Sequence, residues 1–158
     1  MLKNFLKIVL ITASCVPGIA IAGDSNAIDR GKLLQLVNEA RAKGCKCGNT
    51  YYAPAAPVSW NDKLEKAARG HTDYMSTYNI LSHTGENGSR AGERINKAGY
   101  KWSEYGENIA AGYKTEEEVI NGWLNSSGHC KNLMKPITKH VAVARNGNYW
   151  TQILATGE

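Results

Sequence analysis

The chain has 158 residues, 42% of them hydrophobic, and a formal net charge of +5. Two of its 19 basic residues, Lys3 and Lys7, lie in the first few positions, and without them 17 basic residues face 14 acidic ones. So small an excess, with no basic cluster on one helix face, excludes a nucleic-acid partner and supports no more than mild attraction to anionic surfaces.

The N-terminus has the order of a secretory signal peptide. Lys3 and Lys7 form a basic region, an apolar run follows from Ile8 to about Ile21, and Ala20-Ile21-Ala22 is a small-x-small cleavage pattern before Gly23. The run is short and Pro17-Gly18 interrupts it, which argues against a stable membrane anchor. Lipoprotein processing at Cys15 is disfavoured because Thr12 stands where that processing prefers Leu. Residues 1–22 are therefore expected to be removed, and residues 23–158 to form a single secreted domain, periplasmic or extracellular. About 136 residues suffice for one real core.

Export sets the cysteine arithmetic. Cys45, Cys47 and Cys130 remain, so one disulfide and one leftover thiol are expected. Cys45 and Cys47 are taken to point to opposite sides of an extended segment, with one of them facing Cys130. Their spacing matches neither a zinc cluster nor a CxxC redox motif.

Along the chain, Leu33, Leu36, Val37 and Ala40 form a helical stripe that Gly44 can stop. The Gly- and Pro-rich stretch 45–60 reads as an extended surface loop. Asn61 caps a helix to about Asn79, with Leu64, Ala67, Ala68, His71, Met75 and Tyr78 on its buried face. His71 there reads first as a hydrogen-bonded core residue. A turn-rich loop carries His83, and a short helix runs from about Arg90 to Lys97. "EYGENIAAGY" reads as a short strand in which glycines around Glu107 give a tight backbone that aims its carboxylate. Thr115 and Glu118 make a capping box for a helix that buries Val119, Ile120 and Trp123, and Gly128 is placed as its left-handed stop. Two strands, around Val141–Ala144 and Tyr149–Leu154, flank an Asn146-Gly147 hairpin turn. Early helices and a late hairpin give an α+β domain, with helices over a small antiparallel sheet.

Of the four histidines, His83 and His129 lie in Gly/Ser-rich turns, and His140 borders a strand and reads as incidental. His129 and Cys130 are adjacent, but neighbours in a turn seldom present their side chains to each other, so a Cys-His protease pair is disfavoured. No GxSxG or HExxH motif is present.

The ordered set "LSHT", "GENIAAG", "VINGWLNSSGHCKNLM" and "YWTQIL" resembles the CAP superfamily of cysteine-rich secretory, antigen 5 and pathogenesis-related (SCP-like) proteins, in its small bacterial secreted branch. The resemblance runs from about Leu33 to Leu154. It implies an α-β-α sandwich with a cleft that complete family members line with two His and two Glu. Matched here, these are His83, Glu107 and His129, while the second Glu is replaced by Ser126. Two imidazoles, His83 and His129, are thus tentative ligands for zinc or another divalent cation. Loss of one carboxylate predicts weak binding or none, about micromolar or looser. The same resemblance implies a Cys47–Cys130 disulfide, worth about 4 kcal/mol on the loop-closure account, with Cys45 left over.

For function, the resemblance implies first a non-enzymatic extracellular binding domain, acting as a monomer on a lipid, sterol or protein ligand. The alternatives are a metal-assisted, peptidase-like hydrolase using His83, Glu107 and His129, and an envelope protein with a vestigial cleft. Asn108, Gln152 and Arg94 are expected to support the site, and Trp123 and Trp150 to lie in the core.

Overall fold

A computed structural model describes residues 26–157. The expected signal peptide, residues 1–22, lies outside the described residues. Helix α1 (Arg30–Lys43) is followed by short strands β1 (Cys45–Cys47), β2 (Thr50–Tyr52) and β3 (Ser59–Trp60). Helices α2 (Asp62–Tyr78) and α3 (Ala91–Lys97) precede the long strand β4 (Trp102–Ala111). Helices α4 (Glu116–Leu124) and α5 (Ser127–Met134) then lead to the hairpin β5 (His140–Asn146) and β6 (Tyr149–Gly157).

Four strands form the central sheet in the order β3-β5-β6-β4, and β1 and β2 form a separate hairpin. The β4–β6 and β5–β6 pairings are antiparallel, whereas β3 joins β5 in parallel, so the expected antiparallel sheet carries one parallel edge. Helices cover both faces. Val141 and Val143 of β5 pack with Leu33, Val37, Val119, Trp123 and Leu133, from α1, α4 and α5. The alternating residues Ala142 and Ala144 pack with Leu64, Ala67, Ala68 and Ile95, from α2 and α3. This is the α-β-α sandwich that the resemblance implied. Coverage of both faces explains why the β6 interior is buried at every position instead of at alternate ones.

The expected starts and stops hold where capping chemistry is explicit. The Asn61 side chain accepts from the Lys63 and Leu64 amides, and Thr115 with Glu118 forms the reciprocal box of α4. Five expectations are corrected. Tyr78, in the last turn of α2 just before the left-handed Asn79, is 63% exposed, with its ring against Tyr74 of the same helix and not in the core. Gly128 does not stop α4. Asn125 caps that helix, Ser126 takes extended angles (φ −101°, ψ 120°), and Gly128 belongs to the next helix, which can then bury Cys130, Leu133 and Met134. The stretch 45–60 is not all loop but supplies β1, β2 and β3. β4 is ten residues long, and Gly106 sits inside it for closeness instead of turning: a Cβ there would meet the Asn132 side chain at 2.9 Å. Finally, Cys45 and Cys47 do not point apart. Residues two apart on a strand share a face, and both sulfurs turn toward Cys130.

The disulfide joins Cys47 to Cys130, a separation of 83 residues, and ties the β1–β2 hairpin to α5. A second tie to α5 comes from Arg41, fully buried on α1. Its guanidinium donates to the carbonyls of Ala56, Leu133, Lys135 and Thr138 at 2.7–3.4 Å. Leu133 and Lys135 end α5, where carbonyls lack helical partners, so a buried cation there satisfies several acceptors at once.

Candidate functional site

The site gathers on β4, the edge strand. The register sets Glu107 opposite Ile153 and Asn108 opposite Gln152. Ile153 belongs to the core under α2 and α3, so Glu107 faces that layer and Asn108 faces α5. Because, among the described residues, no strand pairs with the outer side of β4, groups from both layers can meet around its edge.

Glu107 is buried and held from three directions. Its Oε1 accepts from His83 Nδ1 at 2.8 Å, and its Oε2 accepts from Arg94 Nη2 at 2.6 Å. His71 Nε2 lies 4.0 Å from Oε1. Burial is the largest single influence on this carboxyl and acts to raise its pKa. The His83 hydrogen bond, the Arg94 charge and His71 together outweigh it, so the group sits below the ordinary carboxylate value. An ionised carboxylate can only accept, so His83 donates to it through Nδ1, which leaves Nε2 as the ring nitrogen turned away from Glu107.

Arg94 fixes the loop as well as the carboxylate. It donates to the Ser89 carbonyl through Nη1 and to the His83 carbonyl through Nη2. The loop passes close by at Gly85, where a Cβ would come within 3.0–3.1 Å of Arg94 Nη1, Ser89 Oγ and His71 Nδ1. His71 is a core residue, as expected, with Nε2 donating to the Ser82 carbonyl at 2.8 Å. Burial pushes its pKa down, which favours the neutral ring. Its place against Glu107 was not legible in the helical stripe, which shows only that it faces inward.

His129 enters from the other side, in the first turn of α5. Asn108 Nδ2 donates to its carbonyl at 3.1 Å and to Gln152 Oε1 at 2.9 Å. Asn132 donates to the Glu107 carbonyl and to Asn108 Oδ1, fastening α5 to β4. Sequence reasoning missed Asn132, and the only signal was its contact partner Gly106. Partial burial lowers the His129 pKa, and His83 lowers it further. Ser126, at the position of the missing carboxylate, caps α5 through its carbonyl, which accepts from the Cys130 amide. His140 lies apart from this cluster, with Nδ1 2.7 Å from the Tyr100 hydroxyl.

This donor set does not fit a tight zinc site. Glu107 is spent on Arg94 and His83, and Ser126 supplies no carboxylate. Among the described residues, the group that brings three metal-type ligand atoms within 4.8 Å is Cys45, Cys47 and Cys130, not the histidine cluster. Beside the cluster, a cavity of about 530 Å³ opens between α2 and α3. It shares His71 and Arg94 with the site and is otherwise lined by residues such as Lys66, Tyr74 and Lys97.

A sandwich of this topology is the fold that the resemblance to CAP domains implied, and the comparisons agree on family and fold. The model of the cysteine-rich secretory protein family (CAP) matches residues 34–154, so the chain belongs to that family. It is 33% identical over 124 residues to the uncharacterized protein YkwD of Bacillus subtilis (strain 168), covering 77% of this chain and 44% of that protein. It is 31% identical over 97 residues to the uncharacterized membrane protein YlbC of the same organism, covering 61% of this chain and 28% of the other. The chain thus spans less than half the length of these curated relatives. Among solved structures, it resembles an extracellular protein containing a SCP domain from Bacillus anthracis str. Ames, with TM-score 0.70, 26% identity, and coverage of 80% of this chain and 39% of that one. It also shares its fold with an outer surface protein from Borrelia burgdorferi, with TM-score 0.69, 22% identity, and coverage of 81% of this chain and 92% of that one.

Proposed function

We propose that this chain is a secreted, non-enzymatic binding domain whose His83–Glu107–His129 edge faces an apolar or amphipathic ligand, a lipid or sterol. The observation that carries the reading is the state of Glu107. A carboxylate paired with Arg94 and held below its ordinary pKa is a poor general base and has no free oxygen for a metal. What remains is a fixed polar edge with an imidazole on each side. The chain leading into it supports an amphipathic ligand: Tyr78, Ile80 and Leu81 are exposed apolar residues that end two positions before His83. Secretion is supported by the N-terminal signal pattern and by the extracellular relative from Bacillus anthracis. Among the described residues, no helix is long and apolar enough to cross a membrane.

The test is titration of the oxidised protein with the fluorescent sterol dehydroergosterol, beside Leu81→Asp. Saturable binding that weakens at least about tenfold, roughly 1.4 kcal/mol, in the variant supports the reading. A peptide and ester panel is run in parallel. Turnover that disappears in Glu107→Gln overturns it in favour of a hydrolase, for which the carboxylate-oriented His83 imidazole is the one geometric argument.

A further inference from the structure

The β1–α5 junction gathers three sulfurs of which only two are bonded. Cys45 Sγ lies 3.4 Å from Cys130 Sγ and 3.9 Å from Cys47 Sγ. Cys47 and Cys130 are 1% and 0% exposed, so their bond is closed to reagents in solution. Cys45, at the head of β1, is half-buried and is the one sulfur of the three that solvent reaches. Low-molecular-weight thiols and disulfides can therefore reach the cluster only through Cys45.

We propose that Cys45 is an exchange thiol for the buried disulfide. Its proton passes to solvent, and its thiolate attacks Cys130 Sγ. The Cys45–Cys130 bond forms, the Cys47–Cys130 bond breaks, and Cys47 leaves as a thiolate that takes up a proton. No net oxidation or reduction occurs, so the step needs no co-reactant. In-line attack requires rotation about the Cys45 Cα–Cβ bond, which a half-buried side chain at a strand end permits. The two isomers close loops of nearly equal span, 85 and 83 residues, so chain entropy does not separate them. Either isomer keeps β1 tied to α5 beneath His129. What moves is the free thiol, between the partly exposed position 45 and the buried position 47. Burial holds the Cys45 pKa up, so the exchange is slow near neutrality and faster in mild alkali.

Lys46 lies between the two cysteines, so trypsin separates them and the test is direct. The oxidised, folded protein is held in mild alkali, quenched in acid, unfolded, alkylated with N-ethylmaleimide and digested without reduction. Alkylated Cys47 peptide, appearing together with a Cys45–Cys130 bridge, is the expected result. Label confined to Cys45 at every time point overturns the proposal. Cys47→Ser gives the second reading: Cys45 and Cys130 are expected to bridge on air oxidation of the folded variant, and two thiols that stay alkylatable overturn it.

Discussion

Glu107→Gln isolates the charge at the centre of the site. The amide keeps the shape of the carboxyl and one acceptor, but Arg94, only 11% exposed, loses its counter-charge at 2.6 Å. Removing one partner of a buried pair costs about 3–5 kcal/mol, mostly from the charge left behind. The retained acceptor puts this case at the low end, about 3 kcal/mol. His83 is 52% exposed and adds little, since solvent takes over its proton. For a domain of this size, about 3 kcal/mol lowers Tm by roughly 10 °C, measured by calorimetry or circular dichroism at neutral pH. Arg94→Met supplies the control: the double variant should be at least about 1 kcal/mol more stable than the sum of the single losses predicts. The pH dependence has a definite sign. The folded Glu107 pKa lies below the ordinary value of 4.5, so its contribution is complete above that pH and is lost only as pH falls through the folded value. Glu107→Gln should lack that acid-side loss. A Tm within about 2 °C of wild type would refute the reasoning, because it would mean that Arg94 does not depend on the carboxylate.

Further outcomes follow from the same geometry. Arg41→Met strips four carbonyls of one buried donor and should cost about 3–5 kcal/mol, read from urea unfolding with the native circular dichroism spectrum unchanged. Replacing both Cys47 and Cys130 by Ser removes an 83-residue cross-link and should cost about 4 kcal/mol, read as a lower urea midpoint. The folded His71 pKa is depressed below 6.5, so its contribution is complete above that value and is lost as pH falls. His71→Gln should flatten the stability slope below about pH 6.5.

What the sequence made legible follows local chemistry. Asn61 and the Thr115–Glu118 pair announced two helix starts because a cap bonds to its own first turn. Asn146-Gly147 announced the hairpin but not its register: Asn146 pairs with Tyr149 at the end of β5, and the turn residues are Gly147 and Asn148, with Gly147 at φ 57°. The approach of Glu107 to His83, and the assignment of Cys47 to Cys130, came from ordered motifs and not from any local rule, since those partners are 24 and 83 residues apart. Three features needed the fold itself. Asn132 matters because Gly106 lets it lie against β4. Arg41 reads as an ordinary helix charge until the α5 carbonyls converge on it. The share of Cys45 in the sulfur cluster was obscured by placing it opposite Cys47, when alternation along a strand puts the two on one face. The fate of Gly128 was missed because Ser126 breaks the helix first: serine is a favoured N-cap, and an N-cap takes extended angles, but Ser126 was not read as one.

The claim that this edge binds a ligand and does not use a metal is tested most directly by calorimetric titration of Zn²⁺ into the oxidised protein, beside His83→Ala and His129→Ala. With Glu107 engaged by Arg94 and His83, and Ser126 in place of the second carboxylate, the two imidazoles are the donors left of the expected set, and no binding tighter than about micromolar is expected. Nanomolar, saturable binding lost in both variants would contradict the account and return the site to metal-assisted chemistry.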